Sequence, residues 1–161
     1  MLSKLFPPSI DNDYRGQKLA LWLFGVVVTM RTMQSLMIIF NGRFTVRSAD
    51  GVPLETYPAA AAQTIVALFA ISSLARLLLS LICVVVLVRY RRAVPFMCAV
   101  IALNYLAANV MARFVPIVRT GRPLGPVVNL VLFGMTIAAL ALSLWQTRPP
   151  TATSISAPPL S

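Results

Sequence analysis

The chain has no histidine and only four acidic residues, Asp11, Asp13, Asp50 and Glu55. General acid–base catalysis and metal coordination draw chiefly on His, Asp and Glu, so this scarcity argues against most enzyme mechanisms. There are two cysteines, Cys83 and Cys98, both inside apolar runs. That placement argues against a disulfide framework and reads as buried packing thiols. A phosphate-binding Gly-rich loop, a dinucleotide fingerprint, a metal-ligand spacing and a nucleophile–base pair are also missing. The sequence therefore predicts no enzyme, no catalytic residue, no metal and no cofactor.

What it has in excess is apolar surface and positive charge. Hydrophobic residues make up 58 % of 161, more than a soluble domain of this size buries, so a lipid bilayer is the natural solvent. The 14 basic residues leave a net charge of +10. They mostly punctuate apolar runs, which favours anchoring at a membrane surface over nucleic-acid binding. Four runs are long enough to cross about 30 Å of hydrocarbon as helices: Leu19–Phe40, Ala61–Val88, Val94–Val115 and Pro126–Gln146. The expected fold is an all-α membrane protein, four transmembrane helices in an up-down-up-down bundle.

Residues 1–18, "MLSKLFPPSIDNDYRGQK", read as an amphipathic lead-in, and the first apolar run as a retained anchor. In the first loop, "NGRFTVRSADGVPLETYP", Phe44/Val46 and Val52/Leu54 alternate with polar neighbours around an Asp50-Gly51 turn signal. That pattern predicts a small β-hairpin. Residues 147–161 are rich in Pro, Ser and Thr and predict a disordered tail after the 19–146 transmembrane domain. With both termini cytoplasmic, the inner side holds Lys4, Arg15, Lys18, Arg89, Arg91, Arg92 and Arg148. The outer side holds Arg43, Arg47, Arg113, Arg119 and Arg122. The positive-inside rule favours this orientation, and "RYRR" at 89–92 adds weight.

Arg31 sits inside "VVVTMRTMQSLMIIF", and Arg76 inside the second run. Counting from the basic residues at the inner ends puts both about 20 Å deep. Each has polar residues on its own helical face: Gln34 and Ser35 with Arg31; Ser72, Ser73 and Ser80 with Arg76. Tyr105, Asn109 and Arg113 form a third stripe, and Asn129, Thr136 and Ser143 a fourth. The stripes are expected to face the bundle interior. Structural polar contacts between helices are the first reading. The second is an anion or lipid-headgroup site formed by Arg31, Gln34, Ser72, Arg76, Asn109 and Arg113 in a basic vestibule open to the outer face. Its counter-charge would come from Asp50, Glu55, a lipid phosphate or an anionic ligand. Gly134/Ala138 and Ala108/Ala112 have the small-xxx-small spacing and are expected to pack within the bundle.

At "FPPSIDNDYRGQKLALWLF", "SADGVPLETYPAAAAQTIVALFA" and "PIVRTGRPLGPVVNLVL" the chain resembles a group of small, uncharacterised bacterial four-helix inner-membrane proteins. The resemblance implies a bacterial inner-membrane protein of about this length and brings no activity or site residue. The expected function is that of a non-enzymatic accessory subunit or scaffold, with a membrane-protein partner or a homo-oligomer and no nucleic acid. The alternative is binding or transport of an anion or anionic lipid.

Overall fold

A computed structural model describes residues 17–121 and 123–145. Most of the lead-in at 1–18 and the whole tail at 147–161 lie outside the described residues. Four long helices dominate: α1 Lys18–Phe40, α3 Ala59–Arg89, α4 Val94–Phe114 and α5 Leu124–Leu144. A short α2, Gly42–Ser48, follows α1, and 3-10 turns occur at Leu54–Thr56 and Arg91–Ala93. All four long helices are long and apolar enough to cross a membrane. Pro58 and Pro123 stand immediately before α3 and α5, and Pro95 lies in the first turn of α4. Proline is tolerated there because the first N–H groups of a helix have no intrahelical acceptor.

Among the described residues there is no strand, so the expected hairpin is corrected. Asn41 leaves the helical conformation at φ −134°, and a new helix starts at Gly42. The Thr45 hydroxyl donates to the carbonyls of Met37 and Asn41, at 3.2 and 2.9 Å, which ties α2 back to α1. Residues two apart share a face in a strand but point to nearly opposite sides of a helix. Val46 is accordingly buried while Phe44 is exposed. The turn signal itself holds. Gly51 has φ +70°, which suits glycine, and the Val52 N–H meets the Val46 carbonyl at 3.2 Å.

α1 is the central element, packed on α3 along one side and on α5 along the other. α5 also packs on α4, whereas α3 and α4 touch sparsely. Phe24, Val27 and Val28 of α1 meet Cys83 of α3, Met97, Cys98 and Ile101 of α4, and Leu132 and Ala139 of α5 in the main core. Both cysteines are buried there as thiols. A smaller cluster of Val46, Val52, Leu54 and Ala62 seats the first loop on the start of α3. α3, at 31 residues, is about 46 Å long and overhangs α1 at that end. Its outer face carries Ile71, Leu78 and Val85, each more than half exposed and seven residues apart.

The small-xxx-small pairs do not pack within the bundle. Ala108, Ala112, Gly134 and Ala138 are exposed, and a Cβ on Gly134 would meet nothing within 4 Å. Spacing puts two small residues on one face but does not say which way that face turns.

Candidate functional site: a buried arginine and its surroundings

Arg31 lies on the face of α1 that buries Phe24, Val27, Val28, Ser35 and Ile38. It is only 4 % exposed. Its Nη2 donates to Oδ1 of Asn104 on α4 at 3.0 Å. Its guanidinium carbon stands 4.7 Å from the centroid of the Tyr105 ring. A desolvated cation over an aromatic face gains about 2 kcal/mol. Tyr105 is held in turn by Phe133 of α5, with ring centroids 6.0 Å apart. Arg31 thus crosses from α1 to α4, and among the described residues its partners there, Asn104 and Tyr105, are neutral amide and ring groups.

Arg76 approaches from α3. Gly25 faces Leu87 and Gly42 faces Val66, a register that sets Arg31 opposite Leu79 and Ser80. Arg76 therefore lies about one helical turn, or roughly 5 Å, further along. It is half-buried and interacts electrostatically with Arg31, Tyr105 and Asp50. Among the described residues its guanidinium makes no hydrogen bond and no ion pair within 4 Å.

Of the two acids in the first loop, Asp50 is the one that interacts electrostatically with Arg76. Glu55 pairs with Arg47 at 2.9 Å with both side chains exposed, an arrangement worth little to stability. Asp50 sits where the first loop is stitched to the start of α5. The Ala49 carbonyl accepts from Gly125 N–H at 2.9 Å, and the Gly51 carbonyl accepts from the Thr120 N–H and hydroxyl at 2.8 and 3.1 Å. Burial pushes the Asp50 carboxyl above its ordinary range, and the attraction of Arg76 and Arg119 opposes that rise.

Among the described residues three buried polar atoms have no hydrogen-bond partner: Arg31 Nε, Tyr105 OH and Ser73 Oγ. Unpaired buried polar groups are rare and call for a physical account. Ser80, Thr136 and Ser143, by contrast, each donate to a carbonyl on their own helix. Among the described residues no three His, Cys, Asp or Glu side chains are grouped so as to hold a metal.

Of the six residues singled out from the sequence, Arg31 is buried and Gln34 and Arg76 are half-buried. Ser72, Asn109 and Arg113 are exposed, and no hydrogen bond joins them to Arg31 or Arg76 among the described residues. Asn109 instead donates to the Tyr105 carbonyl on its own helix at 2.9 Å. Asn104 escaped the sequence reading because it lies one residue off the Tyr105/Asn109/Arg113 stripe. Its signal was a polar side chain in the middle of an apolar run. No family model, no curated protein and no solved structure gives a significant match to the chain.

Proposed function

We propose that the chain is a non-enzymatic integral protein of the bacterial inner membrane that serves as an accessory subunit or scaffold. Its helices run up-down-up-down with both termini in the cytoplasm. Support for the alternation comes from α1 and α5. The Gln17 N–H reaches the Leu142 carbonyl at one end of this pair, and Ala49 bonds Gly125 at the other. The excess of Lys and Arg at the proposed inner ends supports the orientation.

One observation carries the accessory role. The second half of α4, Leu106–Phe114, is exposed on every side, although it bears Asn109 and Arg113. A helix surrounded by hydrocarbon keeps such side chains where a polar partner meets them. The exposed Ala108 and Ala112 leave room for a second helix to approach closely. A helix from another subunit satisfies both conditions.

Purification of the full chain in mild detergent, with the mass of the complex measured, tests this reading. A defined hetero- or homo-oligomer is expected, and Asn109→Leu with Arg113→Leu should release the partner. A strictly monomeric protein without a partner would overturn it.

A further inference from the structure

We propose that Arg31, Tyr105 and Arg76 together bind a singly charged phosphate oxyanion, either the phosphodiester of an anionic lipid or free phosphate. This goes beyond the accessory role and stands or falls separately from it.

The three side chains form a mutual set drawn from three helices. Arg31 of α1 stacks on Tyr105 of α4, and Arg76 of α3 interacts electrostatically with both. Arg31 Nε can only donate, and the Tyr105 hydroxyl can donate as well as accept. Arg31 Nε and the Tyr105 hydroxyl are buried without partners, and the Arg76 guanidinium has none among the described residues. Oδ1 of Asn104 already accepts from Arg31 Nη2. Donors without acceptors select a ligand that accepts, and two neighbouring cations select a negative one. Guanidinium groups match phosphate oxygens in geometry as well as charge.

Charge sets the valence. Among the described residues Asp50 is the only carboxylate acting on Arg76, and Arg119 shares it. Among the described residues Arg31 meets Asn104 and the Tyr105 ring and no carboxylate, which leaves its charge uncompensated there. One negative charge beside Arg31 offsets the charge of that guanidinium, whereas water would supply acceptors and leave the repulsion between the arginines. Access is from the side of Arg76, which is only half-buried, between the sparsely touching α3 and α4.

The test uses the full chain in two settings. In phosphatidylcholine nanodiscs, phosphatidylglycerol is titrated in; in detergent, sodium phosphate is compared with sodium chloride at equal ionic strength. Thermal stability is read in wild type, Tyr105→Phe and Arg31→Gln, with the exposed Arg43→Gln as a control. A rise in melting temperature with phosphatidylglycerol alone assigns the anion to a lipid headgroup, and a rise with phosphate assigns it to the free ion. In either case Tyr105→Phe, which deletes only the hydroxyl, should weaken the apparent affinity about tenfold, and Arg43→Gln should leave it unchanged. Should Arg31→Gln fail to fold, Tyr105→Phe decides alone. Absence of both responses, or responses equal in wild type and Tyr105→Phe, would overturn the proposal.

Discussion

Asp50 and Gly125 meet where the first loop touches α5, and each has a consequence that a single substitution reads. Asp50 has its folded carboxyl raised above the ordinary 3.8, with burial the larger cause. The folded chain therefore binds this proton more readily than the unfolded chain does. Its contribution to stability is full below pH 3.8 and is lost as pH rises through the raised folded value. In melts taken upward from about pH 4, wild type should lose stability relative to Asp50→Asn, which carries no titrating group there. A relative gain would reverse the sign and refute the assignment. At Gly125 an added Cβ would stand 2.7 Å from the Ala49 carbonyl oxygen and 3.1 Å from Asp50 Oδ1. Gly125→Ala should cost about 1–3 kcal/mol, because backbone must move. Gly134 on the same helix faces open space, so Gly134→Ala should stabilise by about 0.5–1 kcal/mol. Equal melting temperatures for the two variants would show that the stitch is absent in solution.

At the scale of elements, α1 has the most to lose. Its buried positions Ala20, Phe24, Val27, Val28, Arg31, Ser35 and Ile38 recur at three- and four-residue steps and face both α3 and α5. Phe24→Ala should therefore cost about 3–5 kcal/mol in a detergent melt. Phe40→Ala, at a position 83 % exposed, should change stability by less than about 0.5 kcal/mol. The long helices were legible in the sequence because span length and apolar content are local properties. Leu19–Phe40 was expected and Lys18–Phe40 is found; Pro126–Gln146 was expected and Leu124–Leu144 is found. Residue counting gives depth along a helix and puts Arg31 and Arg76 at nearly one level, whereas the register of α1 on α3 sets them about one turn apart. The rotation of one helix against another is not local, so the sequence did not show that Asn104 and Tyr105 receive Arg31 while Asn109 and Arg113 turn outward. α2 escaped because Phe44 and Val46 mimic the two-residue period of a strand. Nothing in their spacing reveals that Thr45 fastens this segment to the end of α1.

For the whole molecule, the proposed orientation has a direct test. Cys83 and Cys98 are buried, so a membrane-impermeant thiol reagent should leave the native chain unlabelled. Arg43→Cys should react in intact cells and Thr151→Cys only after the membrane is opened. Arg43 is exposed and preferable to Thr45, whose hydroxyl holds the α1–α2 junction. Labelling of position 151 from outside would invert the topology. The stitch between the first loop and α5 also bears on how the protein is made. Ala49 and Gly51 leave the ribosome long before Thr120 and Gly125, yet their carbonyls are closed only by those later residues. Until the last helix has been synthesised and delivered, the first loop has no lock, and Asp50 has no α5 to lie against. The lock on the first loop therefore closes only after α5 has been made, so a chain halted before Thr120 carries this loop unfastened.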